Sequence, residues 1–200
     1  HTTEELRELI FKSQEMYPKI WPGIKWSERK MQWTAPSGAR LWMSYLDRED
    51  DVLRYQGLAF SWIGFDELTQ WPTPFAWNYM RSRLRSTASD LPVYMRATTN
   101  PGGRGHHWVK KMFIDPAPHG KPFDATDIET TEVLRYPAGH AKAGKPLFKR
   151  RFIPARLSDN PYLAKQGDYE AMLLSLPEQQ RRQLLDCLLY TSDAADEVDR

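Results

Sequence analysis

One short apolar run constrains the fold of this chain more than any other stretch. Residues 60–65 read Phe-Ser-Trp-Ile-Gly-Phe, and two adjacent carboxylates, Asp66 and Glu67, end the run. Bulky side chains over so few positions, bounded by Gly57 and by Trp71-Pro72, are typical of a buried strand in an α/β sheet. Because ligands bind beyond the carboxyl ends of such strands, the two acids are placed to serve a bound ligand.

The two acids fit the chemistry of nucleotide hydrolysis. A carboxylate at the first position can hold Mg²⁺ through its oxygens, and a carboxylate at the second can polarise the water that attacks a γ-phosphate. This pattern suggests the metal role for Asp66 and the water role for Glu67. The alternative is a solvated pair of acids that only ends a strand, so the assignment needs support from other segments.

A second core strand, predicted over residues 93–98, ends in hydroxyl and amide side chains. Thr98, Thr99 and Asn100 lie at this end, and Pro-Gly-Gly follows at residues 101–103. At the end of a neighbouring strand such groups can hydrogen-bond a γ-phosphate or its attacking water and report the loss of the phosphate. Thr and Asn before Pro-Gly-Gly are also ordinary turn formers, so the segment alone does not identify a site.

Two groups of cations accompany the predicted strands. The first lies on a helix that Thr73-Pro74 opens, and consists of Arg81, Arg83 and Arg85. The second precedes a third core strand, predicted over residues 152–157, and consists of Lys142, Lys145, Lys149, Arg150 and Arg151. These cations either contact phosphate or form a solvated face. The net charge of +2 permits a polyanionic partner without requiring one.

The remaining periodicity predicts mostly helices. Helices are expected from the N-terminus to Tyr17-Pro18, over residues 105–113, around 168–174 and after Pro177, and a hairpin over residues 30–45. The segment 115–145 reads as an excursion from the sheet with one strand at 130–136.

Composition excludes several classes of protein. Of 200 residues 40% are hydrophobic, enough for a sizeable core, but no apolar run approaches the length of a membrane span and no leader is recognisable. The single cysteine, Cys187, excludes an internal disulfide, and the adjacent His106 and His107 lack the spacing of a zinc site. We expect a cytosolic protein without membrane partners.

Several segments occur in an order that is specific as a set, although each is weak alone. They are Trp62-Ile63-Gly64-Phe65-Asp66-Glu67, Tyr79-Met80-Arg81-Ser82-Arg83-Leu84-Arg85, Ala97-Thr98-Thr99-Asn100-Pro101-Gly102-Gly103, His107-Trp108-Val109, Phe152-Ile153-Pro154-Ala155 and Asp159-Asn160-Pro161. Over residues 1–186 the chain thereby closely resembles the large terminase subunit of tailed double-stranded DNA phages.

The resemblance implies a P-loop NTPase of the ASCE type, with a mostly parallel sheet flanked by helices. It implies a hydrolase that uses ATP and Mg²⁺ to drive double-stranded DNA into a procapsid, as a homo-oligomeric ring on the portal protein, with a small terminase subunit as partner. The setting would be the cytoplasm of the infected bacterial host, transiently at the portal. A nuclease domain would follow on the C-terminal side.

Residue roles follow from the same resemblance. Asp66 matches the Walker B magnesium residue and Glu67 the catalytic base. The coupling motif corresponds to Thr98, Thr99 and Asn100. Arg54, shortly before the Walker B strand, is a candidate arginine finger that reaches a neighbouring subunit, and the candidates that compete with it are Arg81, Arg83 and Arg85. Lys149, Arg150 and Arg151 are expected to contact DNA or phosphate.

Two departures limit this expectation. The loop G-x-x-x-x-G-K-[ST] is missing, because both Gly-Lys pairs, Gly120-Lys121 and Gly144-Lys145, are followed by Pro instead of Ser or Thr, and the first pair also lacks the preceding glycine. We expect the true N-terminus, with this loop, to lie upstream, and these residues alone to be inactive as an ATPase. The nuclease carboxylates are missing as well.

The expected organisation has three parts. Residues 1–158 form a partial ATPase motor domain, 159–186 a helical linker or lid, and 187–200 a tail. From Cys187 onward the sequence resembles translated sequencing-adapter DNA, so we expect this tail to be non-native, with an ordinary acidic tail as the alternative.

Two other functions stay open. A DNA helicase or translocase of the DExx type shares the strand-end acids, but usually has His or Asp where this chain has Thr69. A non-catalytic DNA-binding or capsid-assembly module would keep the fold without nucleotide chemistry, and its basic stretches would be its working parts.

Overall fold

The protein is described by a computed structural model over residues 3–88, 90–155, 157–164, 167–178 and 181. It divides into two compact units between Gln56 and Gly57. Each unit builds its own core, and each is described by itself below.

The first unit packs one helix on a small antiparallel sheet. Its elements are α1 (Thr3–Ile20), β1 (Lys25–Ser27), β2 (Gln32–Thr34) and β3 (Arg40–Trp42), with sheet order β1-β2-β3. The hairpin β2–β3 and the N-terminal helix confirm the sequence prediction, whereas β1 was not predicted. Ser13 links the two layers, because its buried hydroxyl accepts the indole N–H of Trp33 at 3.0 Å and donates to the carbonyl of Ile10 at 2.7 Å.

The second unit is built on two parallel strands. They are β4 (Trp62–Phe65) and β5 (Tyr94–Ala97), and the helices α2 (Phe75–Arg81) and α3 (His106–Phe113) follow them in the chain. All four elements were predicted from their periodicity and flanking turns. Trp77 of α2 joins the layers, since its ring lies 5.6 Å from that of Phe65 and 5.5 Å from that of Phe113.

The C-terminal part of this unit agrees with the prediction in its last helix, expected around residues 168–174, and differs in its strands. It contains β6 (Phe123–Asp124) and β7 (Lys149–Arg150), which pair antiparallel, and the helices α4 (Pro161–Ala164) and α5 (Gly167–Leu174). The prediction of a third core strand over residues 152–157 was wrong. Residues 152–155 form no strand, and a 3-10 turn begins at Leu157. Pro154 lacks a ladder donor, and Ile153 is 67% exposed, so this apolar run is not a buried strand.

The fold is α/β, as predicted from the sequence. Within the described ranges, however, the strands form three small sheets, and only β4–β5 is parallel. The strand predicted over residues 130–136 contributes isolated bridges at Val133 and Arg135. No helix in the described part of the chain is long and apolar enough to cross a membrane. Most of the helix predicted after Pro177, and the tail from Cys187, lie outside the described residues.

Candidate functional site

The parallel pairing of β4 and β5 brings two polar segments to one edge. Phe65 lies opposite Ala97, so both strands end at the same level. Beyond these residues the backbone continues the contact, because the N–H of Thr98 donates to the carbonyl of Phe65 and the N–H of Leu68 to the carbonyl of Thr98, both at 3.0 Å. The side chains that follow the strands are therefore held side by side.

Each predicted acid receives a hydrogen bond from a predicted coupling residue. The hydroxyl of Thr98 donates to Oδ1 of Asp66. The amide Nδ2 of Asn100 donates to Oε1 of Glu67 at 2.9 Å. The acid pair and the polar strand end, which sequence analysis placed at two separate segments, thus form one cluster.

Glu67 adopts an unusual backbone conformation. Its φ of 51° and ψ of 55° lie in the left-handed region, which non-glycine residues rarely adopt. The residue sits between β4 and a 3-10 turn, Leu68–Gln70, so the chain reverses direction directly after the strand. Strain of this kind persists where the surroundings fix it, and it is a reason to look for function at this position.

The sequence analysis missed the residue that ties this edge together, Thr69. It is 1% exposed. Its N–H donates to Oγ1 of Thr99 at 3.0 Å, its hydroxyl accepts from the same Oγ1 at 2.8 Å, and it donates to the carbonyl of Asn100 at 2.9 Å. Thr69 therefore connects the turn that carries Glu67 to the segment that carries Asn100. The only signal was a hydroxyl between Leu68 and Gln70 in the turn that follows the acid pair.

Close backbone approach at Gly105 fixes the start of α3 against the same turn. The N–H of Gly105 donates to the carbonyl of Thr69 at 2.7 Å. A Cβ built on Gly105 would lie 2.0 Å from the carbonyl oxygen of Trp71, a distance that no side chain tolerates. Trp108 reinforces the contact, because its buried indole N–H donates to that oxygen at 2.8 Å.

His106 holds the loop between Asn100 and α3. Its Nδ1 accepts the N–H of Gly102 at 3.0 Å, which requires an unprotonated Nδ1. Burial lowers the pKa of His106, and the nearby charges of Lys110 and His107 lower it further, against a smaller opposing effect of Asp115. The neutral ring therefore serves as a hydrogen-bond acceptor for the loop.

The candidate arginine fingers differ in their surroundings. Arg54 belongs to the first unit, where it donates to the carbonyl of Tyr45 and, at 3.2 Å, to the hydroxyl of Ser44. The guanidinium of Arg81 stacks 4.4 Å over the ring of Phe148, and burial lowers its pKa. Its Nη1 is buried without a hydrogen-bond partner among the described residues.

The other two candidates, Arg83 and Arg85, make local contacts. Arg83 donates to the hydroxyl of Ser82 at 2.9 Å, and Arg85 donates to the carbonyls of Gly57 and Leu58 at 3.2 and 3.3 Å. None of the bonds described for these two arginines goes to Asp66 or Glu67.

The three cations predicted to contact DNA or phosphate lie at the base of the β6–β7 hairpin. Lys149 pairs with Asp124 at 2.9 Å, and Arg151 donates to the carbonyl of Gly120 at 2.6 Å. Arg150 is 8% exposed, and it donates to the carbonyl of Thr126 at 2.7 Å. Burial and the neighbouring Arg81 lower the pKa of Arg150 to about 10.

The donor set at the strand ends fits magnesium. Within the described residues no group of three or more His, Cys, Asp or Glu side chains is arranged to hold a metal ion. The cluster instead offers two carboxylates and the hydroxyl of Thr98, all hard oxygen ligands. Mg²⁺ is bound in this way where substrate phosphates and water complete its shell.

Comparison with known proteins gives one finding. A family model described as "Terminase large subunit, T4likevirus-type, N-terminal" matches residues 3–192. Neither the curated proteins nor the solved structures yield a match.

Proposed function

The chain belongs to the T4-type large terminase family, and residues 3–192 match the N-terminal domain of that family. Because terminases act in phage DNA packaging, we propose that the chain takes part in ATP-driven translocation of double-stranded DNA into a procapsid. ATP and Mg²⁺ are the proposed cofactors. The proposed partners are the portal protein, a small terminase subunit and further copies in a ring, in the cytoplasm of the infected host.

One observation carries this proposal. The ends of β4 and β5 join Asp66 to Thr98 and Glu67 to Asn100 through side-chain hydrogen bonds. In a P-loop NTPase the acid pair performs hydrolysis, and the neighbouring strand end detects the γ-phosphate. The cluster of Asp66, Glu67, Thr98 and Asn100 supports the proposal that the chain is part of a motor of this type.

In this mechanism Asp66 would hold Mg²⁺, which would neutralise charge on the phosphates of the nucleotide. Glu67 would accept a proton from the attacking water. The amide of Asn100 fixes one carboxylate oxygen of Glu67, so the orientation of the base depends on the position of the second strand end. Thr98 orients the carboxylate of Asp66 in the same manner.

The same bonds give a route from chemistry to motion. A shift of Asn100 on phosphate loss would act on Thr69, whose hydroxyl donates to the carbonyl of Asn100. Thr69 would transmit the shift to Gly105 and so to α3, through the bond between its carbonyl and the N–H of Gly105. We propose this chain of contacts as the coupling path.

The four candidate fingers are not equally suited to reach a neighbouring subunit. Arg54 and Arg85 are exposed, whereas Arg81 is half-buried against Phe148. We therefore propose Arg54, which is exposed and lies shortly before β4 in the sequence, as the first finger to test.

The test uses the full reading frame recovered by long-read sequencing of the source DNA on both sides of residues 1–200. Phosphate release in the presence of duplex DNA is compared between wild type, Glu67→Gln and Asp66→Ala. We expect a loss of at least about a hundredfold in both variants, because base and metal residue are each required.

Two results would contradict the proposal. DNA unwinding by the full protein would favour a DExx-type helicase. Salt-dependent DNA binding that neither ATP nor Asp66→Ala changes, in a frame that lacks G-x-x-x-x-G-K-[ST], would favour a non-catalytic binding module.

A further inference from the structure

Charge is segregated in the chain after Glu132. No Asp or Glu occurs over residues 133–158, whereas this stretch has seven Lys and Arg residues. Residues 68–114 are similarly basic, with seven Lys and Arg residues and one acid, Asp90, so the stretch 133–158 is one of two local positive regions within a chain of net charge +2. Such a region is typical of contact with a polyanion.

The structure separates these cations into two groups. At the base of the hairpin, Lys149, Arg150 and Arg151 have the partners given above. At its tip, residues 136–145, here called the tip loop, carry Lys142 and Lys145. Both are exposed, and among the described residues neither forms an ion pair.

The tip loop is ordered by its own hydrogen bonds. Tyr136 and Lys145 pair across its neck, with the N–H of Tyr136 donating to the carbonyl of Lys145 at 3.0 Å. Inside the loop the N–H of Ala143 donates to the carbonyl of His140 at 2.8 Å, and the N–H of Lys142 donates to Nδ1 of His140 at 3.0 Å. Arg135 adds a bond from its guanidinium to the carbonyl of Gly144 at 2.8 Å.

This order is not explained by a hydrophobic core. Residues 137–145 are all exposed, so the loop gains little from burial of apolar surface. A fixed conformation of exposed lysines does, however, reduce the entropy that is lost when they bind a partner. The tip loop therefore has the properties of a preorganised contact.

We propose that the tip loop binds the sugar-phosphate backbone of duplex DNA through the ammonium groups of Lys142 and Lys145. The choice of DNA as the polyanion rests on the proposed function. Lysine binds phosphate as a point charge. The only arginine at the loop, Arg135, is engaged with Gly144, so the tip has no free bidentate reader of base edges. Binding is therefore independent of sequence.

The aromatic residues of the loop argue for a duplex and against single strands. Single-strand binding surfaces offer open aromatic faces on which bases stack. Here the ring of Tyr136 stacks on that of His140, with centroids 4.5 Å apart and planes 17° apart, and Nζ of Lys142 lies 5.7 Å from the Tyr136 centroid. Tyr136 thus shapes the loop and offers no open stacking platform.

The experiment measures binding of the 200-residue chain to a labelled duplex by fluorescence anisotropy between about 50 and 200 mM salt. In the double variant Lys142→Ala/Lys145→Ala we expect the slope of log K against log salt to fall by about 1.8, because each phosphate contact contributes about 0.9. The affinity ratio of wild type to variant then shrinks about twelvefold over this salt range. Lys142→Arg/Lys145→Arg retains the slope.

The matched control is Lys12→Ala/Lys19→Ala in α1. It removes the same charge from exposed lysines that pair with Glu8 and Glu15, and it should leave the slope unchanged. If the slope fell equally in both double variants, net charge alone would explain the effect, and the proposal would be overturned. An unchanged slope in the tip-loop variant, no binding by wild type, or stronger binding to a single strand would also overturn it. The phosphate-release assay on the full reading frame decides the proposed function independently.

Discussion

At the scale of single residues, the candidate site depends on a conformation that Glu67 adopts at a cost. A left-handed φ destabilises a non-glycine residue by about 1 kcal/mol or more. Glycine would remove this cost, but it would also remove the carboxylate that Asn100 contacts. The proposed role of Glu67 as the base accounts for a glutamate at this turn.

This interpretation predicts that glycine stabilises the protein more than alanine at position 67, the reverse of the usual order inside a helix. Glu67→Gly and Glu67→Ala both lose the carboxylate, but only glycine relieves the φ of 51°. We expect the glycine variant to exceed the alanine variant by about 1 kcal/mol in free energy of unfolding, measured with urea. At Glu8, inside α1, the order should reverse by a similar amount. Equal stability at position 67 would argue against strain there.

Thr69 permits a test of the hydrogen-bond network. Valine keeps the shape of Thr69 but removes its hydroxyl. The carbonyl of Asn100 then loses the 2.9 Å bond from Thr69 and keeps only the 3.2 Å bond from the hydroxyl of Thr99. We expect Thr69→Val to lower the free energy of unfolding by about 1–3 kcal/mol. The exposed Thr87 is the matched control, and Thr87→Val should stay within about 0.5 kcal/mol. A neutral Thr69→Val would remove Thr69 from the coupling path.

His106 predicts how stability depends on pH. Its pKa is lowered in the folded protein, so the unfolded chain binds more protons at mildly acidic pH. The contribution of His106 is therefore complete above the unfolded pKa, about 6.5, and is lost as pH falls below it. Asparagine offers an acceptor near Nδ1 without titrating.

The measurement is the melting temperature between pH 7.5 and 5.5. We expect His106→Asn to lose less stability than wild type over this range. His107→Asn, at the exposed neighbouring position, keeps His106 and removes only a minor cause of its lowered pKa, so most of the wild-type pH dependence should remain. An unchanged pH profile in the His106 variant would mean that its bond to Gly102 does not depend on the neutral ring.

At the scale of elements, the close packing of α3 against the turn after β4 depends on Gly105. The Cβ of an alanine there would lie 2.0 Å from the carbonyl oxygen of Trp71 and 2.5 Å from Nε1 of Trp108, so both groups would have to move away. We expect Gly105→Ala to lose about 3 kcal/mol or more in free energy of unfolding. Gly167→Ala, at the start of α5, meets nothing within 4 Å and should be neutral or stabilising. A tolerated Gly105→Ala would mean that α3 is free to shift.

Elements were predictable from the sequence where a local signal coincided with burial. The Thr73-Pro74 signal precedes α2, whose Ala76, Trp77 and Met80 are buried, and so meets this condition fully. The run that forms β4 meets it only at Ile63. The apolar run at residues 152–157 did not, because Ile153 is exposed and Pro154 has no N–H for a ladder bond. The bonds of Thr69 were hidden, since they join residues about thirty positions apart.

At the scale of the whole molecule, the fold brings two segments that lie about thirty residues apart in the sequence to one edge of the β4–β5 sheet. The acid pair and the coupling residues were named from chemistry, and the parallel register then brought them together. The boundary between Gln56 and Gly57 lies inside the range predicted as one motor domain, 1–158. It was not predictable because neither flank carries a linker composition.

The last prediction concerns the ATPase activity of the 200 residues taken alone. The chain has the acid pair but no G-x-x-x-x-G-K-[ST] loop, whose backbone N–H groups and lysine hold the phosphates of ATP. Without that loop the nucleotide is not positioned, and positioning supplies most of the catalysis in phosphoryl transfer. We expect phosphate release with ATP, Mg²⁺ and duplex DNA to be the same in wild type and Glu67→Gln. The glutamine side chain of this variant keeps an acceptor for the amide of Asn100, so the control preserves the contact at the strand ends. Release above the control would mean that another segment of these 200 residues binds the triphosphate.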